Sequence, residues 1–197
     1  ESHQKNAGGN ARIAETMFRY FRFPADFQSF VYLSQVQQGL AIKTAVTQWR
    51  SLKPHCMGTL YWQLNDTWPV CSWASLDHGG EWKLLHHMAQ AFYAPVTVVC
   101  VPEGGDLVLK GVNDTGAEVA LSLAVRAAHL DGTARRLAAV ECRLPPDRAV
   151  EIARVPAATL GRDEVLGFAF TSDHGAGCEI HATRPWKSHD LRPSGLK

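Results

Sequence analysis

Pro95-Val96-Thr97-Val98-Val99-Cys100-Val101-Pro102-Glu103-Gly104-Gly105-Asp106-Leu107-Val108-Leu109-Lys110-Gly111-Val112-Asn113-Asp114-Thr115-Gly116 sets two apolar, β-branched runs between clusters of turn residues. β-Branched side chains suit a pleated surface, and Pro, Gly, Asn and Asp favour turns. The stretch therefore predicts strands over 96–101 and 106–112, the first ended by Pro102–Gly105 and the second by Asn113–Gly116. The same pattern continues towards the C-terminus and predicts strands over 118–128, 134–144, 149–155, 165–171 and 178–183. Strands at roughly ten-residue spacing with turn signals between them indicate an immunoglobulin-like β-sandwich, here over residues 95–185. Residues 186–197 read as a mobile tail.

Towards the N-terminus the composition changes. Fifteen of the eighteen aromatic residues precede Pro95, whereas twelve of the sixteen valines follow it, so a second kind of architecture is expected over residues 1–94. Ile13, Met17 and Phe21 recur at four and predict a helix over 11–22, interrupted by Pro24. A second helix is expected to open after Pro24, with Asp26 as its N-cap, and to run towards Lys53 with a Gln-rich polar face. Residues 58–64 (Gly-Thr-Leu-Tyr-Trp-Gln-Leu) read as a short strand buried on both faces. Asn65 to Pro69 must be loop, and a third helix is expected over 81–93. This order fits the tail of an α/β unit.

The 197 residues suffice for one compact domain or two small ones, and 46% apolar with 20% charged residues excludes wholesale disorder. Twenty Lys and Arg against nineteen Asp and Glu give a net charge of +1 with no basic run, so nucleic acid is not an expected partner. No apolar run is long enough to span a bilayer, and no membrane partner is expected. The five cysteines contain no C-x-x-C pair, which argues against a zinc ribbon or redox motif. His86-His87 are adjacent rather than four apart, so they do not form a helical zinc pair. The chain opens on Glu1-Ser2-His3-Gln4-Lys5-Asn6 rather than Met, and is read as cut from a longer sequence.

The chemistry concentrates in Gly58-Thr59-Leu60-Tyr61-Trp62-Gln63-Leu64-Asn65-Asp66-Thr67-Trp68-Pro69-Val70-Cys71-Ser72-Trp73, which sets three tryptophans and a tyrosine around an Asn-Asp pair. Indole faces pack on the C–H surfaces of sugars while carboxylates and amides bond hydroxyls, so the cluster suits carbohydrate. The same residues also suit plain packing at the end of a core. For Asp66 two roles stand side by side, a bond to a sugar hydroxyl and the shaping of the turn before Trp68-Pro69.

Ser2–Asn6, Gly9-Asn10, Tyr32–Gln35 with Gln37-Gln38, Trp49-Arg50, the Gly58–Trp73 run, Leu76-Asp77 and Trp82-Lys83 with His86 together resemble, in order, the C-terminal part of the catalytic barrel of β-mannosidases. These form a branch of the β-galactosidase, β-glucuronidase and β-mannosidase family of retaining glycoside hydrolases. The resemblance covers about residues 1–95 in detail and beyond that rests on domain order. It implies the C-terminal part of a (β/α)8 barrel over 1–94, followed by the sandwich and the tail, with the remainder of the barrel as the partner of the first part. It also implies a β-mannoside or mannooligosaccharide substrate, bound by Trp62 at the subsite for the terminal mannose and by Asn65 and Asp66 on the following loop, and a cis peptide between Trp62 and Gln63.

A retaining glycosidase needs an acid/base carboxyl and a nucleophilic carboxylate about 5–5.5 Å apart. In the resembled family the acid/base is the Glu of an Asn-Glu pair, and none of the nine Glu residues here follows Asn. The nucleophile is expected upstream of the segment with which this chain begins. The chain alone is therefore predicted to carry no catalytic residue and to be inactive, as part of an enzyme releasing terminal non-reducing β-D-mannose without metal or organic cofactor. Two other readings are a non-catalytic sandwich that binds carbohydrate or docks, and a related exo-β-glucosaminidase or β-galactosidase. Few aromatics in the sandwich favour docking over sugar binding, and the Leu60–Asp66 run favours mannosidase. The residues define no compartment; a polysaccharide-processing role is compatible with a secreted, periplasmic or lysosomal enzyme.

Overall fold

The computed structural model describes residues 2–190. They fall into two compact units: residues up to Val46 with Gly58–Tyr93, and Thr47–Met57 with the residues from Ala94 onward.

The first unit holds α1 (Gly9–Tyr20), most of α2 (Phe27–Arg50) and α3 (Leu84–Phe92). Asp26 caps α2 as its sequence position suggests: its Oδ1 accepts the Ser29 N–H at 2.7 Å. That bond also holds the Asp26 carboxyl below its ordinary pKa. The glutamines of α2 serve neighbouring loops, Gln35 Oε1 accepting the Leu84 N–H at 3.0 Å and Gln38 Nε2 donating to the Trp73 carbonyl at 2.8 Å. Gln35 thus satisfies one of the orphan amides at the start of α3. Val46, Leu85, Ala89 and Phe92 form the apolar centre, flanked by Ile42, Met88, Tyr61 and Tyr93. A Cβ on Gly39 would collide with Met88 Sδ, so a larger residue there requires the flexible Met88 side chain to move aside.

Two elements differ from expectation. Residues 58–64 form no strand, and rather than being buried on both faces they leave Leu60 97%, Trp62 72% and Leu64 56% exposed. A strand is defined by the ladder it makes with a neighbour; no strand of this unit lies beside the segment among the described residues, and the unit displays no barrel sheet. The third helix begins at Leu84 rather than Glu81 because Asp77 organises a loop first, its Oδ1 accepting the N–H groups of Gly79 and Glu81 at 2.8 and 2.9 Å.

The second unit is a seven-stranded antiparallel sandwich. β1 (Val96–Glu103), β2 (Asp106–Asn113) and β5 (Arg148–Pro156) make one sheet in the order β1-β2-β5. β3 (Val119–His129), β4 (Ala134–Leu144), β6 (Glu164–Ser172) and β7 (Gly175–His181) make the other, ordered β4-β3-β6-β7. Strands one, two and five against three, six and seven is the immunoglobulin-like distribution, with β4 beside β3. The alternation of β3 puts Val119, Leu121, Leu123 and Val125 into the core against Val96, Val98, Phe168 and Phe170. β1 runs through Pro102 instead of ending there: it is an edge strand, where a missing N–H costs no ladder bond. Arg135 on β4, its side chain about half exposed, forks onto Glu164 with Nε and Nη2 at 3.0 and 2.7 Å.

Asn113, fully buried, closes the β2 turn by donating to the Ala117, Leu144 and Pro145 carbonyls and accepting from Thr115. The last residues of α2 and the turn after it belong to this unit, where Arg50 and Lys53 both pair with Asp114 at 2.9 and 2.8 Å. The expected tail is ordered at its start: Trp186–Ser188 is a 3-10 turn and His189 is buried. The rest of that expectation, residues 191–197, lies outside the described residues.

Gly111 tests the core packing. A Cβ there would lie 2.5 Å from Leu144 Cδ2, itself in the core, so Gly111→Ala is expected to destabilise the sandwich by about 1–2 kcal/mol. Thermal unfolding followed by the far-ultraviolet β signal checks this; an unchanged midpoint contradicts the close approach.

Candidate functional site

Trp62, Asn65 and Asp66 lie on one irregular segment of the first unit, held by the stretch Ser72–Leu76. Ser75 N–H donates to the Gln63 and Leu64 carbonyls at 3.0 and 3.1 Å, Leu76 N–H donates to Leu64 O at 2.8 Å, and Asp66 N–H donates to Leu76 O at 3.1 Å. Asn65 and Leu76 form an isolated parallel bridge. The Trp62-Gln63 peptide is cis, in line with the resemblance. The indole of Trp62 stands largely in solvent, and Asn65 is exposed, its Nδ2 donating to the Asp66 carbonyl at 3.2 Å.

Asp66 differs from both neighbours. Only 4% of it is exposed, and each carboxylate oxygen has a partner: Ser72 Oγ donates to Oδ1 at 2.6 Å and Lys83 Nζ to Oδ2 at 2.7 Å. Burial pushes its pKa up, but the hydrogen bonds from Lys83 and Ser72 with the charges of Lys83 and Lys5 outweigh it, leaving the carboxyl below its ordinary range. Ser72 Oγ also accepts the Ala74 N–H at 3.0 Å, so the carboxylate fixes the far end of the loop.

Sequence reasoning missed a second polar cluster. Ser75, fully buried, brings its Oγ to 2.8 Å from Tyr61 Oη, 2.9 Å from the Leu64 carbonyl and 3.0 Å from His86 Nδ1. The Trp82 ring lies against both His86 and His87, with centroids 4.5 and 4.9 Å away. No short motif marks Ser75, because the partners of its hydroxyl lie eleven or more residues away in sequence. His3 Nδ1 bonds the Pro69 carbonyl, and its ring stands 6.2 Å from that of Trp68.

Among the described residues no group of three or more His, Cys, Asp or Glu could hold a metal ion, and no helix is long and apolar enough to cross a membrane. Glu15 is paired with Arg19 on α1, and Glu81 stands exposed in the loop before α3.

No family model matches the chain. Among curated proteins it is 37% identical over 131 residues to the β-mannosidase of Capra hircus, covering 60% of this chain and 15% of that protein. It is 37% identical over 139 residues to that of Mus musculus, covering 64% and 16%, and 29% identical over 107 residues to β-mannosidase A of Aspergillus niger, covering 50% and 12%. Among solved structures it superposes on the β-D-mannosidase of Dictyoglomus thermophilum with a TM-score of 0.87 and 26% identity, over 93% of this chain and 23% of that one. The exo-chitosanase CsxA of Amycolatopsis orientalis shares the fold, at a TM-score of 0.78 and 16% identity over 93% of this chain and 23% of that one. The chain thus spans about 12–16% of the length of these curated relatives, and in both sequence and fold it is similar to a segment of β-mannosidases.

Proposed function

We propose that this chain is the C-terminal portion of a retaining β-mannosidase that releases terminal non-reducing β-D-mannose, and that it does no chemistry alone. The observation that carries the reading is the 37% identity to β-mannosidases, supported by a strongly exposed Trp62 on a segment whose backbone is tightly bonded. In this reading residues 1–94 complete a (β/α)8 barrel begun elsewhere in the protein, and 95–185 are its accessory sandwich.

Both steps of the double displacement require carboxyl groups outside this chain: one to attack the anomeric carbon, the other to protonate the leaving oxygen and then activate water. What these residues contribute is position. Trp62 offers an apolar wall for the C–H face of the terminal mannose, and Asn65 an amide for a hydroxyl. Asp66, with both oxygens engaged, serves the site by tying Ser72 and Lys83 to the loop. The exposed Leu60 and Leu64 are the surface that the remainder of the barrel would cover, while Trp62 is left for the sugar.

The substrate class is tested on the full-length protein containing this chain, with p-nitrophenyl β-mannoside beside the β-glucosaminide and β-galactoside. A kcat/KM at least about 100-fold higher for the mannoside is expected; preference for either other sugar overturns the mannosidase reading while keeping the glycosidase one.

A further inference from the structure

Trp62 poses a problem of positioning. With 72% of its surface exposed, its side chain has little packing of its own, so the backbone on either side must set where the indole stands. That backbone is held from one place. Ser75 bonds to residue 61 through its hydroxyl, to 63 through its N–H, and to 64 through both, while its own carbonyl accepts the Lys83 N–H at 2.9 Å. The hydroxyl has one proton. Given to the Leu64 carbonyl, it leaves Oγ to accept from Tyr61 Oη–H and His86 Nδ1–H, so that every polar atom of this fully buried residue is used. Through His86 the same oxygen reaches Trp82, whose ring lies edge-on to the imidazole. Neither Ala nor Thr reproduces this: the first removes the oxygen, and the second adds a methyl where no surface is exposed.

We propose that Ser75 is the positioning residue of Trp62, fixing the indole for sugar binding through Tyr61, Gln63 and Leu64 without itself touching substrate. This rests on the reading of Trp62 as a sugar-facing wall.

The test is a double-mutant cycle in the full-length protein, with kcat/KM for p-nitrophenyl β-mannoside as readout and thermal midpoints measured alongside. Ser75→Ala is expected to lower kcat/KM about 10-fold when Trp62 is present and less than about 2-fold in the Trp62→Ala background, because a residue that acts through another loses its effect when that other is gone. Tyr61→Phe removes a single hydroxyl and carries the same cycle if Ser75→Ala does not fold, with a loss of about 3-fold that again needs Trp62. Equal losses in both backgrounds, or no loss with Trp62 present, overturn the positioning role. A Trp62→Ala enzyme with unchanged kcat/KM overturns the sugar-wall reading beneath it.

Discussion

Trp62→Ala in the full-length protein is expected to lower kcat/KM for an aryl β-mannoside by about 100-fold, which is about 2.7 kcal/mol of lost binding to the transition state, while leaving the melting temperature nearly unchanged. The two halves of this expectation have one cause. An indole that is 72% exposed in this chain contributes little to the packing of the first unit, so its removal opens no cavity. As the wall of a sugar subsite, it would contribute contact with the substrate's C–H face and exclusion of water, both lost with the ring. Trp62→Phe should retain part of the activity. Steady-state kinetics beside calorimetry checks the pair: a lowered melting temperature with unaltered kinetics would make Trp62 a packing residue.

The second large effect concerns stability. Asp66→Ala leaves the Lys83 ammonium beside Ser72 with no counter-charge, in a place where only 18% of the lysine side chain meets solvent. Breaking a buried pair from one side costs about 3–5 kcal/mol, and the partial exposure of Lys83 puts the expectation near the lower end, at about 3 kcal/mol. Replacing both partners, Asp66→Asn with Lys83→Met, should recover much of that loss, since no charge is then stranded.

The effect should also depend on pH. The folded pKa of Asp66 lies below its unfolded value, so its contribution is fully present above the unfolded value, ~pH 4, and is lost as pH falls through the folded one. The gap in stability between wild type and Asp66→Asn should therefore narrow on acidification below ~pH 4 and stay constant from there to neutrality. Denaturant titrations across that range, followed by tryptophan fluorescence, measure it; a gap that widens in acid contradicts the ion pair.

Sandwich strands were legible because each carries its own signal. β4 runs over Ala134–Leu144 as its pattern says, and β3 alternates inward valines and leucines with outward small or polar residues. Where the reading failed, the missing information was not local. Residues 58–64 have strand composition, but a strand also needs a neighbour, and none lies beside them among the described residues. Pro102 looked like a terminator because composition does not say that β1 lies on an edge. The late start of α3 was readable in principle: Asp77-His78-Gly79-Gly80 is turn chemistry, and Asp77 Oδ1 takes the two amides that delay the helix.

At the candidate site, the residue types around Trp62 were visible as a family pattern, whereas the bonds that hold them were not. Asp66 and Lys83 are seventeen residues apart, and Tyr61 and Ser75 fourteen, with no spacing rule that joins either pair. Two roles for Asp66 were open from sequence, and the partner on each of its oxygens favours the one in which it braces the loop.

The most direct measurement compares p-nitrophenyl β-mannoside hydrolysis by the 197-residue chain with that by the full-length protein containing it. No turnover above the uncatalysed rate is expected for the chain, and turnover with retained anomeric configuration for the full-length protein. Hydrolysis by the chain alone would mean that it carries its own pair of catalytic carboxyls, and would overturn the proposed division of the site between this chain and the rest of the enzyme.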